Sequence, residues 1–355
     1  MKATPERIDF VRRRIGLNKS EFADRLGIDR KTLQRIVLGQ CDASGDVLAS
    51  LVRLSGYPEK FFFKTVPVQP ASSGVSFRSL RSLTAGPREA ALAAAGLAFE
   101  LDDWVRTRVE LPAHDLPQFT RQAPREAAAA LRSHWGIGVQ PIANMMNVLE
   151  VHGVRVFSLV EETRHLDAYA CWRDDKAPYV FLNTCKTGEH SRFDAAHELA
   201  HLVLHRHSGT SQRDAEGEAN TFASEFLMPQ ADLLAYASRV QTFKDLILAK
   251  PRWGVSAAAL NYALYKVGII REWQYKQNCI EISRYGRDRE PEPMQHETSQ
   301  IWAKVLTALW QRGISLSRIA AELHLPESEL AKLLFNVAAP ARVLATSPSR
   351  LSLVD

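Results

Sequence analysis

Apolar positions along this chain recur mostly at helical spacing, and one short region alternates as strands do. Ile8, Val11 and Ile15 follow Thr4-Pro5, a cap and a proline at the first helical position. Asn18 with Glu21 three residues later opens a second helix, whose inner face is Phe22, Ala23 and Leu26, and Gly27-Ile28 makes a tight turn. Asp29 caps a third helix, Arg30 to Leu38, ended by Gly39. Residues 4–63 thus read as a bundle of short helices. An Ala/Leu-rich segment from Arg88 to about Arg108 predicts a long packed helix. Apolar stripes predict helices over 125–134 and 141–152, and residues 155–160, 167–172 and 178–183 read as three short strands. Helices then follow around 192–205 and from 214 to Pro229, through Leu233, and over 243–248 and 255–267. Residues 313–334 repeat a helix, turn, helix rhythm.

The stretch around residue 197 carries the chemistry. His197-Glu198-Leu199-Ala200-His201 places two imidazoles four residues apart, on one face of a helix, with a carboxylate beside them. A divalent metal held by two histidines and a third ligand uses such a carboxylate as general base. Two residues compete for the third place. His207 stands ten residues after His197, but Leu204 occupies the midway position where a helix-breaking glycine is needed, so His207 reads as a surface residue. Glu216 shares a face with Ala219, Asn220 and Ala223 and points inward, where a carboxylate is costly unless paired or bound to metal. Asn220 is placed to hydrogen-bond a ligand, and Glu218 lies on another face and reads as solvated. Tyr262 and Tyr265 read as packed tyrosines.

Arg192-Phe193-x-x-Ala196-His197-Glu198-Leu199-x-His201-x-x-Leu204-His205, then Glu216-x-x-Ala219-Asn220-x-Phe222-Ala223-x-x-x-Leu227-Met228-Pro229, resembles the ImmA/IrrE family of metallopeptidase-like proteins. The resemblance spans roughly 125–270. It implies a zincin-like fold in which His197, His201 and Glu216 hold Zn2+ and Glu198 is the catalytic base. It also implies a protein substrate, often a transcriptional repressor, in stress response or mobile-element control. Ala200 stands where many members have glycine, and His205 matches a common position outside the zinc set.

Phe22-Ala23-x-x-Leu26-Gly27-Ile28 and Leu33-x-x-Ile36-x-x-Gly39 resemble the XRE (phage repressor-like) helix-turn-helix family. Charge agrees: over residues 1–40, Lys2, Arg7, Arg12, Arg13, Arg14, Lys19, Arg25, Arg30, Lys31 and Arg35 oppose Glu6, Asp9, Glu21, Asp24 and Asp29. The excess of five equals that of the whole chain. Arg30, Lys31, Gln34 and Arg35 can project toward base edges and phosphates, and Lys19 and Arg13 toward backbone phosphate. A basic bundle that binds protein is the plainer alternative. In the second helix of the 313–334 repeat, Glu327 and Glu329 stand where the first has Arg30 and Lys31, which favours a packing or dimerisation module over a second DNA reader.

The expected fold is mostly α with a small β-sheet (α+β). The expected division is a helix-turn-helix bundle (1–63), linker and connecting helix (64–124), peptidase domain (125–270), linker (271–297) and C-terminal helical module (298–355). At 355 residues the chain can build several cores. No apolar run of about 18 residues predicts a membrane span, and the N-terminus lacks an apolar signal core. The four cysteines, Cys41, Cys171, Cys185 and Cys279, have no CxxC spacing and read as reduced thiols of a cytoplasmic protein. The function these readings favour is a DNA-binding transcriptional regulator carrying a zinc endopeptidase. The alternative is a regulator or antitoxin-like DNA binder whose peptidase-like domain binds metal or senses without proteolysis. Expected partners are double-stranded DNA, a protein substrate such as a repressor, and a second copy in a homodimer; a membrane is not among them.

Overall fold

Short-range capping sets the first helices. The structure, a computed structural model, describes residues 2–70, 84–119, 122–159, 168–206, 212–236, 240–286 and 289–337. Helices α1 (Pro5–Arg14), α2 (Lys19–Leu26), α3 (Arg30–Val37) and α4 (Gly45–Ser55) form the N-terminal bundle. Asn18 Oδ1 accepts from Ser20 N and Glu21 N (2.9 and 3.0 Å), while Glu21 Oε2 accepts from Asn18 N (3.1 Å). Asp29 Oδ1 accepts from Lys31 N and Thr32 N at 2.8 and 2.9 Å. Gly27, at φ 71°, makes the left-handed turn between α2 and α3. Thr4 differs from expectation: its side chain makes no capping bond, and its N–H instead donates to Phe62 O at 2.7 Å.

The rest continues as α5 (Ala85–Arg106), α6 (Pro124–His134), α7 (Met145–Val151), β1 (Arg155–Ser158), β2 (Ala168–Arg173), β3 (Ala177–Leu182), α8 (Gly188–Leu204), α9 (Gln212–Leu227), α10 (Gln230–Tyr236), α11 (Phe243–Ala249), α12 (Ala257–Lys266), α13 (Glu272–Ser283), α14 (Gln300–Gln311), α15 (Leu316–Leu323) and α16 (Glu327–Leu333). Among the described residues the fold is therefore mostly α with one small sheet. Helix α7 is shorter than the expected 141–152, because the Asn144 side chain caps it at Asn147 N (2.7 Å). The expected strand positions 160 and 167, and His207, lie outside the described residues, as do residues 71–75 of the first linker and 338–355 of the C-terminal module.

The sheet runs β1-β3-β2, with β1 parallel and β2 antiparallel to β3. Both of its faces are covered, which is why these strands are almost continuously apolar. Phe157, Tyr169, Tyr179 and Phe181 face one core, shared with α5, the N-terminal bundle and α14–α16. Val156, Ala168, Ala170, Val180 and Leu182 face a second core built from α6–α9, α11 and α12. Asp102 on α5 anchors the first face: Tyr179 Oη donates to its Oδ2 at 2.7 Å and Arg155 Nε lies 3.2 Å from Oδ1.

One expectation is corrected. The expected 271–297 linker contains helix α13, and its proline-rich end is pinned by charge. Glu290 accepts from Ala257 N (2.6 Å), Met294 N donates to the buried Glu189 (2.8 Å), and Glu297 bonds the buried Arg192 and accepts from Met146 N (2.9 Å). Arg192 also packs so tightly on Gly254 that a Cβ there would lie 2.9 Å from its Nε. The acidic helix α16 packs inward: Glu329 Oε1 accepts from Arg14 Nε at 2.6 Å, and Glu322 on α15 accepts from Trp104 Nε1 and Arg108 at 3.0 and 2.9 Å.

Candidate metal centre

Helix α8 begins at Gly188, where Thr187 Oγ1 accepts from His190 N at 3.3 Å. Its apolar face (Ala195, Ala196, Leu199, Leu202, Val203) is buried in the second core, against β2, β3 and α9. His197, His201 and His205 recur at successive turns outside that apolar stripe and meet Glu216, Glu218 and Asn220 of α9. From α9, Ala219, Phe222, Ala223 and Phe226 enter the same core and carry Glu216 inward with them, only 8% exposed.

These elements bring His197, His201 and Glu216 together. The two Nε2 atoms lie 3.1 Å apart; Glu216 Oε2 is 3.3 Å from His197 Nε2, and Oε1 is 3.6 Å from His201 Nε2. Ligands at about 2.0 Å from a tetrahedral ion stand about 3.3 Å from one another, so the three spacings match such a site. Among the described residues, these three are the group able to hold a metal ion. Asn220 Oδ1 lies 3.0 Å from His197 Nδ1, on the ring nitrogen that faces away from the group. Glu198 is 3% exposed, and its charge acts on His197.

Electrostatics separate the two imidazoles. Burial works against charge on both. On His197 the bond to Glu216 and the charges of Glu198, Glu216 and Asp194 outweigh it and hold the ring above its ordinary range. On His201 burial and the neighbouring His197 and His205 act together and push it well below that range. Below the site, Cys171 is buried, and burial with the charge of Glu198 raises its thiol far above the ordinary value, so it stays protonated. Sequence reasoning missed one feature. Glu218, expected to be solvated, has a side chain 41% exposed yet lies 2.8 Å from His205 Nε2, and His205 Nδ1 lies 3.0 Å from His201 Nδ1.

Residues 149–265 match the IrrE N-terminal-like domain family. This stretch is an ImmA/IrrE-like metallopeptidase domain, and it contains the sheet, α8, α9 and the three clustered residues. The chain finds no match among curated proteins.

The predicted DNA-contacting residues lie elsewhere. Lys19 on α2 and Arg30, Lys31, Gln34 and Arg35 on α3 are all exposed, while Leu33 and Ile36 hold α3 to the bundle. Arg13 does not project outward as expected. It is half-buried, 3.1 Å from Asp9 Oδ2 and 3.0 Å from Gln69 Oε1. Arg7, Arg12 and Arg14 are buried and paired with Glu100, Asp9 with Glu89, and Glu329 respectively. Several of the basic residues of 1–40 are therefore used inside the molecule, and the outward positive charge is concentrated on α3, because on α2 Lys19 and Arg25 are balanced by the exposed Glu21 and Asp24. Among the described residues no helix is long and apolar enough to cross a membrane.

Proposed function

We propose that this chain is a cytoplasmic DNA-binding regulator whose ImmA/IrrE-like domain is a zinc-dependent endopeptidase acting on a protein such as a repressor, in stress response or mobile-element control. The observation that carries it is the convergence of two Nε2 atoms and an inward carboxylate from two helices, at tetrahedral spacing. Zinc bound there supplies Lewis-acid polarisation of a scissile carbonyl and acidifies water. Glu198 takes the proton of the attacking water and passes it to the leaving amine. Its burial keeps competing solvent from that carboxylate. The test is metal content. Purified chain should carry about one zinc, as tetrahedral three-ligand sites do. His197→Ala should carry almost none, and a wild type that binds no zinc under replete conditions would end the enzymatic reading.

The exposed basic residues on α2 and α3 support the DNA half of the proposal, with α3 as the element that enters the major groove of duplex DNA and a second copy supplying the other half-site. Each phosphate contact removed lowers the slope of log affinity against log salt by about 0.9. Arg30→Ala/Lys31→Ala/Arg35→Ala should therefore weaken binding to a mixed-sequence duplex at low salt and flatten that slope by two to three such steps, measured by fluorescence anisotropy. An unchanged slope would assign these side chains to ordinary solvation.

A further inference from the structure

We propose that His205 and Glu218 are positioning residues that fix which nitrogen of His201 carries its proton, and so aim its Nε2 lone pair at a divalent cation. The inference rests on the metal reading above. An ionised carboxylate only accepts hydrogen bonds, so at 2.8 Å from Glu218 Oε2 the Nε2 of His205 is the donor. A neutral His205 protonated there has an acceptor at Nδ1. His201 Nδ1, 3.0 Å away, must then be the donor in that pair. With its proton at Nδ1, a neutral His201 leaves Nε2 bare, and this is the atom 3.1 Å from His197 Nε2 and 3.6 Å from Glu216 Oε1. Asn220 Oδ1 imposes the same tautomer on His197 from its own side, at 3.0 Å. Two bare nitrogens aimed at each other across 3.1 Å repel unless a cation lies between them, so both relays favour a loaded site.

The two relays differ in kind. His197 leans on a neutral amide, whereas His201 is linked through a second imidazole to a carboxylate that reaches solvent. The carboxylate end makes His201 the more electron-rich donor. The line His197, His201, His205 along one face of α8 thus divides: the first two present nitrogen to the cation, and the third turns inward to serve the second.

The experiment is zinc affinity of the full chain by competition with a chelating chromophore, together with the thermal midpoint of the metal-free form. His205→Phe and Glu218→Ala should each bind zinc about 10- to 100-fold more weakly. His205→Gln should recover most of the loss, because its Oε1 can accept from His201 Nδ1–H. The metal-free midpoint should stay near wild type for Glu218→Ala, whose side chain is 41% exposed. A purely structural role predicts the reverse: a lowered metal-free midpoint, unaltered affinity in the folded fraction, and no rescue by glutamine. Wild-type affinity in both His205→Phe and Glu218→Ala would overturn the inference while leaving the metal reading intact; a wild type that binds no zinc would overturn both.

Discussion

Glu198→Gln should keep its zinc and lose cleavage of its protein partner by roughly 10²- to 10⁴-fold, the range a positioned general base contributes. The substitution is isosteric and leaves His197, His201 and Glu216 in place, so metal content by elemental analysis should not change. An amide cannot take a proton from water at neutral pH, and Glu198 is the buried carboxylate next to His197 in sequence. A partner captured with the Glu198→Gln chain should be cut when wild type is added, with the new ends read by mass spectrometry. Equal rates for the two forms would remove Glu198 from the mechanism. Zinc retained by both, with no captured partner cut by either, would favour the sensing regulator over the peptidase.

Local chemistry was legible in the sequence and long-range pairing was not. The caps at Asn18 and Asp29 act within three residues, so the starts of α2 and α3 can be read from side-chain types alone, whereas α8 starts at Gly188, before the expected 192. The spacing of His197 and His201 is also local, and the apolar stripe of α9 indicated that Glu216 faces inward. By contrast, α13 buries no residue, so it has no stripe for periodicity to detect; its local markers are the pairing of Arg271 with Gln274 at its start and the Glu272–Lys276 ion pair one turn on. Net charge proved a poor guide to surface charge in the head. Arg12 meets Glu89 77 residues away and Arg14 meets Glu329 315 residues away, and nothing near either arginine announces these partners. The same blindness hid the bond from Glu218 to His205, which depends on how α9 lies across α8 rather than on the helical face counted from the sequence.

Replacing Asp102 should cost the fold more than any surface change, because it is the fully buried acid between the long helix α5 and the sheet. Its Oδ2 accepts from Tyr179 Oη at 2.7 Å, while its Oδ1 stands 3.2 Å from Arg155 Nε as an ion contact without hydrogen-bond alignment. Arg155 is itself buried, and burial lowers its affinity for the proton while the charge of Asp102 restores part of it. Its Nη1 donates to Pro112 O at 3.1 Å, a neutral partner that does not offset its charge. Asp102→Ala therefore leaves a buried cation with carbonyl partners alone, and the expected loss is about 3–5 kcal/mol in chemical denaturation. Asp102→Asn should lose less, since its carbonyl still accepts from Tyr179, though Arg155 remains uncompensated. Asp102→Leu with Arg155→Leu, which removes both charges together, should recover much of the loss, because well-packed apolar pairs often replace buried ion pairs at little cost. If Asp102→Ala unfolds at the wild-type denaturant concentration, the acid does not hold α5 to the sheet, and apolar packing of Phe99 on Tyr179, with ring centroids 4.5 Å apart, carries that junction instead.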